Sequence, residues 1–254
     1  MKLQLDGREL AYEVTAVKGP PGENPTIVFC PGFNSTMQGN KARDLNLFCL
    51  AQGWTFVRFD YSGHGDSGGD FADGSISKWL ADTLAIIDKV TVGEVVIVGS
   101  SMGGWIALLA ALQRPKRVKG LLLIACAADM TKTYRQRLQG LPTQVDGKLR
   151  IYYSVENQYD DQQNYRLYQA LIDDGASHYL LDAPIQLDIP VRLVHGLKDD
   201  VIEWQRSAQV MTCLLSTQVS LLKIESADHR LSSATDLLQI RSQLSALVAI
   251  QLKR

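Results

Sequence analysis

The chain has no apolar run near the roughly 20 residues that a membrane-spanning helix requires; its longest stretches, such as Leu121–Ala128, have the length of buried strands. Its start, MKLQLDGRELAYEV, has neither the basic opening nor the apolar core of a secretory leader. Charge of one sign is missing too. With 26 Lys and Arg against 27 Asp and Glu, the formal net charge is -1, which offers no electrostatic hold on nucleic acid or an anionic membrane. Cysteines are few and scattered: Cys30, Cys49, Cys126 and Cys213 form no CxxC pair and no metal-ligand spacing. The expectation from these absences is a cytoplasmic protein with reduced cysteines, no membrane span, no nucleic-acid partner, no metal and no organic cofactor.

What is present is a rhythm. Asp6-Gly7 lies between two alternating apolar and polar stretches and predicts a hairpin; a Gly/Pro-rich loop, Lys18–Pro25, follows it. Strands are then expected at Thr26–Cys30, Thr55–Asp60, Glu94–Gly99, Val118–Ala125, Val191–His195 and Gln218–Ile224. Helices are expected between and after them, at Asn40–Gln52, Ile76–Val90, Gly103–Arg114, Glu203–Leu215 and Ser232–Leu252. Runs such as VVIVG and LLLIA are apolar at every position, which suits strands covered on both faces of a parallel sheet. The fold class is therefore α/β, a mostly parallel sheet with helices on both faces, within a single domain spanning 1–254.

Residues 128–184 break this rhythm. They hold seven of the nine tyrosines: Tyr134, Tyr152, Tyr153, Tyr159, Tyr165, Tyr168 and Tyr179. A polar insertion of this length between two strands of a parallel sheet reads as a small, mostly helical cap over a site. A single crossover helix, Gln162–Asp174, with loops around it is the alternative. Tyr152 and Tyr165 are candidate substrate contacts, with Leu141 and Leu180 as further candidate lining residues.

The chemistry-bearing pattern is Gly99-Ser100-Ser101-Met102-Gly103, placed between the strand EVVIVG and the helix GGWIALLAALQR. A GxSxG in that position makes a sharp turn that lifts its central serine above the sheet. Ser101 occupies that centre; Ser100 becomes a wall residue of the site. A serine hydroxyl needs a base to take its proton. Of the four histidines, His229 lies just beyond the last strand and ahead of the last helix, and it is the candidate base. His195 precedes the candidate acid and reads as a loop stabiliser; His64 and His178 read as structural or surface residues, with a substrate contact the alternative for His178. Either Asp199 or Asp200 could accept the His229 N–H, and the spacing from His195-Gly196 favours Asp199. Asp228, adjacent to the base in the chain, is a poor candidate for the acid. The amides of Met102, at the helix N-terminus, and Phe33, in the loop Pro31-Gly32-Phe33-Asn34, are the expected oxyanion donors, with Asn34 a candidate substrate contact.

These motifs, in this order, resemble the α/β-hydrolase superfamily over the whole chain. PGFNSTMQGNKA, FDYSGHGDSGG, HGLKDDVIEW and DHRLS are similar, more narrowly, to the acyl-protein thioesterase group that includes the mycophenolic acid acyl-glucuronide esterase. The group's usual proline is Glu203 in this chain. The resemblance implies a triad of Ser101, Asp199 and His229 acting on small-molecule acyl esters or on S-acylated protein. A C–C hydrolase or lyase using the same triad, and a non-catalytic ligand-binding member of the fold, are the alternative functions.

Overall fold

Alternate side chains of a strand face opposite ways, and in this chain both sets are apolar, so both faces of the sheet need a cover. The computed structural model describes residues 1–5, 7–16, 26–155 and 165–251. Strand β1 (Lys2–Leu5) turns past Gly7 (φ 77°) into β2 (Arg8–Thr15) as the expected hairpin. Asp6 and the loop 18–25 lie outside the described residues. Then follow β3 (Thr26–Cys30), α1 (Asn40–Gln52), β4 (Thr55–Phe59), α2 (Ile76–Lys89), β5 (Val95–Ser100), α3 (Met102–Gln113) and β6 (Val118–Ile124). The segment 128–184 carries α4 (Met130–Arg137), β7 (Gln144–Val145), β8 (Ile151–Val155), β9 (Tyr165–Tyr168) and α5 (Gln169–Gly175). Strand β10 (Val191–Gly196), α6 (Gln205–Cys213), β11 (Val219–Ile224) and α7 (Ala234–Gln251) complete the described chain.

Eight strands form one sheet in the order β1-β2-β4-β3-β5-β6-β10-β11, parallel from β4 to β11 and antiparallel at the β1–β2 edge. Ile27, Phe29, Phe56, Val96, Val98, Leu122 and Ile124 point to one face, where Leu45 and Cys49 of α1 and Ile240, Leu244 and Leu247 of α7 cover them. The alternate set, with Val28, Val57, Ile97, Leu121 and Leu123, packs with Trp79 and Ile86 of α2 and Trp105 and Ile106 of α3. Each such side chain contributes about 1.5–3 kcal/mol when fully buried, so the two covered faces hold the sheet together. No helix among the described residues is long and apolar enough to cross a membrane.

The segment 128–184 differs from a mostly helical cap. Among its described residues two α-helices and a short 3-10 turn (Ala176–His178) share it with a three-stranded antiparallel sheet, β7-β8-β9. Aromatic and β-branched residues in IYYSV and YRLY favour extended backbone, and Asp146-Gly147 supplies the turn before them. The alternative crossover helix is only partly met: α5 begins at Gln169, after strand β9. Salt bridges from Lys148 to Asp70 (2.9 Å) and from Arg150 to Asp73 (2.8 Å) fasten this sheet to the body. His178 Nε2 lies against Ser77 Oγ at 2.7 Å.

Between β5 and α3 the backbone turns at Ser101 with φ 54° and ψ -119°. This left-handed backbone is costly for a residue with a side chain and persists only where its surroundings hold it. Space is made by glycine. A Cβ on Gly103 would lie 2.1 Å from the Cys30 carbonyl oxygen, and one on Gly99 2.4 Å from the Gly103 carbonyl oxygen. The loop after β4 is equally constrained. Asp60 accepts the amides of Met37 (2.7 Å) and Asp66 (2.9 Å), so the carboxylate ties the loop after β3 to the loop that bears His64. His64, expected to be structural or on the surface, is buried at 5% exposure. Its burial pushes the imidazole down to about 4, against the weaker opposing pull of the Ser62 carbonyl.

Two outcomes are expected. Gly103→Ala should lower stability by about 1–3 kcal/mol, because the new methyl group meets backbone that cannot swing away; urea unfolding will measure it. The unfolded chain protonates His64 near the ordinary 6.5 and the folded chain only near 4. The contribution of neutral His64 is thus complete above pH 6.5 and is lost as pH falls towards 4, on the order of 3 kcal/mol in all. His64→Phe should flatten that part of the stability profile, measured by urea midpoints across the range.

Candidate active site

Parallel strands side by side release their following loops on one rim of the sheet. β5 delivers Ser101 there, the loop after β10 delivers Asp199, and the loop after β11 delivers His229. Ser101 Oγ lies 3.0 Å from His229 Nε2, and His229 Nδ1 lies 2.7 Å from Asp199 Oδ2. A carboxylate only accepts hydrogen bonds, so Nδ1 carries the ring proton and Nε2 is free to accept from the serine hydroxyl. Asp200, the rival acid, is exposed, whereas the Asp199 side chain is fully buried.

Asp199 is held by four donors. Oδ1 accepts the amides of Val201 (3.0 Å) and Ile202 (2.8 Å), and Oδ2 accepts from His229 (2.7 Å) and from His195 Nε2 (3.0 Å), which it shares with the Ile202 carbonyl oxygen (2.9 Å). Burial by itself would raise this carboxyl; the hydrogen bonds from His195 and His229 outweigh it and hold the group well below the usual carboxylate range. His195, fully buried, presents Nδ1 to Ser207 Oγ at 2.7 Å. His195 thus contacts Asp199 and Ile202 in the loop after β10.

The loop after β3 runs against Ser101: a Cβ on Gly32 would sit 3.3 Å from the Ser101 Cβ. Ser35 N–H closes a turn on Gly32 O at 3.2 Å, and Asn34 takes φ 53° within it. The Phe33 amide has no protein acceptor among the described residues. Met102 is the first residue of α3, so its amide lies outside the helix's own hydrogen-bond ladder. Phe33 is fixed by its ring, which meets Phe71 at 5.3 Å, Trp79 at 6.0 Å and Tyr165 at 5.8 Å.

A cavity of about 650 Å³ opens over Ser101. Of the expected contacts, Asn34, Ser100 and Tyr165 line it. Tyr152 does not: its ring packs on Tyr168 at 5.6 Å and its hydroxyl bonds Gln144, inside the small sheet. The residue alternates with Tyr153 along β8, and the strand's register turns it from the cavity. Leu141 (52% exposed) and Leu180 are likewise outside the lining. Sequence reasoning missed Lys41, Met130, Tyr134, Val201, Ile202, Arg230 and Ser232, all lining residues. Several of these are near neighbours of motif residues in the chain, which was the available signal. Tyr134 and Tyr165 touch through their hydroxyls at 3.2 Å. Lys41 donates to the Arg230 carbonyl, tying α1 to the loop of His229, and burial pushes its ammonium down to about 8. Among the described residues no group of three or more His, Cys, Asp or Glu is arranged to hold a metal ion.

A sequence profile of the alpha/beta hydrolase fold matches residues 25–150. The chain is 38% identical to rat "Palmitoyl-protein thioesterase ABHD10, mitochondrial" over 87% of its length and 74% of the relative's. It is 37% identical to the human protein of that name, over 87% and 72%. The structure of alpha/beta hydrolase domain-containing protein 10 from mouse superposes with a TM-score of 0.86 at 33% identity, covering 99% of this chain and 98% of that one. A putative hydrolase from Agrobacterium vitis superposes at 0.85 with 31% identity, over 98% and 97%. These relatives correct the cytoplasmic expectation, for the ABHD10 proteins are mitochondrial. The cysteines carried no information on compartment. Cys30, Cys49 and Cys126 are buried thiols that burial pushes up to about 12, and such thiols stay reduced and unreactive wherever the protein resides. By this sequence identity and coverage, the chain belongs to the α/β-hydrolase family, in the group of the ABHD10 proteins.

Proposed function

We propose that this chain is a serine hydrolase of carboxylic ester or thioester bonds, with Ser101 as nucleophile, His229 as base and Asp199 as the acid that orients it. The observation that carries the reading is the continuous line from Ser101 Oγ to His229 (3.0 Å) to Asp199 (2.7 Å), with the serine facing a cavity. His229 takes the hydroxyl proton as Ser101 Oγ bonds to the substrate carbonyl carbon. The amides of Phe33 and Met102 receive the developing oxyanion, each worth on the order of 3 kcal/mol in the transition state. His229 then passes its proton to the departing alcohol or thiol as that bond breaks. Water, deprotonated by His229 in turn, releases the acid and restores Ser101.

The curated relatives bear the name palmitoyl-protein thioesterase, which favours S-acyl cysteine of a protein, or a small acyl ester, as substrate. Residues 128–184 act in this reading as the cap that selects the acyl group, since Met130, Tyr134 and Tyr165 reach the cavity from it. The Met130 side chain, the rings of Tyr134 and Tyr165 and the Val201 and Ile202 side chains form an apolar wall. Asn34, Thr36, Lys41, Arg230 and Ser232 form a polar one.

Ser101→Ala should lower kcat on a short p-nitrophenyl ester by at least about a thousandfold, and it should abolish labelling by a fluorophosphonate. Retained turnover or labelling in that variant would remove Ser101 from the reaction. A wild-type protein that cleaves a 1,3-diketone and spares esters would point to a C–C hydrolase instead. Tyr165→Ala should raise kcat/KM for long acyl chains over short ones severalfold by widening the cavity, and Tyr152→Ala should leave that ratio unchanged. An acyl-chain-length series on both variants measures it.

A further inference from the structure

His64 takes no part in the proposed reaction, yet it touches the loop on which the reaction depends. Its ring lies edge-on to Phe71 and Trp79, with centroids at 5.0 and 5.3 Å, and the Phe33 ring meets the same two side chains. Nδ1 faces the Ser62 carbonyl at 3.4 Å, and Nε2 faces the Asn34 N–H at 3.2 Å. A carbonyl only accepts and an amide N–H only donates, so the ring holds its proton on Nδ1 and offers the Nε2 lone pair to Asn34. Asn34 is the residue of the 32–35 turn with φ 53°, next in the chain to Phe33. An Asn tolerates that backbone without requiring it, and the His64 contact adds a hold from outside the turn to its internal Ser35 N–H to Gly32 carbonyl bond.

We propose that His64 is a positioning residue for oxyanion binding: its Nε2 accepts the Asn34 N–H and holds the 32–35 turn so that the Phe33 amide is aimed at the carbonyl attacked by Ser101. The inference rests on the reading of Ser101 and Phe33 given above. Two features distinguish this role from plain packing. An apolar ring of similar size would fill the same aromatic box, yet it would offer no acceptor to Asn34. The contact also reaches the backbone of the donor loop itself, where a displacement of about 1 Å is enough to cost up to a hundredfold in rate.

The test compares His64→Phe, which keeps an aromatic ring and loses the acceptor, with His64→Gln, whose amide oxygen can accept in place of Nε2. Turnover of p-nitrophenyl butyrate gives kcat and KM. Inhibition by an aryl trifluoromethyl ketone, which adds Ser101 to form a tetrahedral oxyanion, reads the donors directly. For folded His64→Phe the expected result is a fall in kcat of about tenfold or more, KM within about twofold of wild type, and ketone affinity weakened by the same factor as kcat. His64→Gln should recover most of both losses. Wild-type kcat and ketone affinity in His64→Phe overturn the proposal, and so does an equal loss in both folded variants. Should His64→Phe not fold, nitrogen NMR of the wild-type protein decides. Protonated Nδ1, with a coupling across the hydrogen bond from Asn34 N–H to Nε2, supports the role, and protonated Nε2 overturns it. If the reading of Ser101 is itself wrong, wild-type protein neither turns over the ester nor takes a fluorophosphonate label. If only the role of His64 is wrong, wild type does both and His64→Phe matches it.

Discussion

At Ser101 the chain leaves a strand buried along its whole length and enters a helix buried on nearly every side, turning through φ 54°. That turn fits only because the carbonyls of Cys30 and Gly103 approach where Gly103 and Gly99 have no side chain. Larger residues would push the helix off the sheet, and the serine would leave the rim. The site's other parts are arranged around this point. β3 and β5 are hydrogen-bonded neighbours, so the loop after β3 necessarily passes beside Ser101; β10 and β11 are likewise neighbours, so the loops bearing Asp199 and His229 emerge together.

Electrostatics then separates the buried polar groups by what surrounds them. Asp199 is buried and stays ionised because two amides, the His229 imidazole and the shared His195 Nε2–H converge on it. His64 is buried against aromatic rings, with the Ser62 carbonyl on Nδ1 and the Asn34 N–H on Nε2, and it stays neutral. The same physical cost, removing charge from water, gives opposite protonation outcomes because only one of the two sites supplies compensating partners. A fixed carboxylate and a neutral imidazole acceptor are what a stable site geometry around pH 7 requires.

The cavity has two kinds of wall because it has two origins. Asn34, Thr36 and Lys41 come from the loop after β3 and the start of α1, and Arg230 and Ser232 from the loop after β11, within the parallel-sheet body. Met130, Tyr134 and Tyr165 come from the segment 128–184, which is pinned to the body by Lys148 and Arg150 on Asp70 and Asp73. Walls built from separate segments can diverge separately in sequence while the rim of the sheet keeps the reacting residues in place.

Much of this was legible in the sequence because its signals are local. Continuous apolar runs mark strands covered on both faces, and the ends of the expected strands and helices outside 128–184 fall within about two residues of those observed. GxSxG between a strand and a helix marks Ser101, and chain order marks Asp199 and His229. Less legible was what depends on contacts between distant segments. IYYSV read as part of a helical cap and forms a strand, since a strand needs partners that lie elsewhere in the chain. Tyr152 and Tyr165 share composition and neighbourhood, yet only Tyr165 reaches the cavity, because strand register decides the direction of each side chain. The preference for Asp199 over Asp200 became a contact at 2.7 Å only when the loops after β10 and β11 met. His64 looked like a turn residue until the loop after β3 was seen to lie on its Nε2. The sequence by itself determined the α/β architecture and singled out Ser101 and His229 at the ends of their strands, because periodicity and turn chemistry act over a few residues. Only the tertiary structure decided which side chains share the cavity and which histidine meets the Asn34 amide, because those depend on packing between segments far apart in the chain.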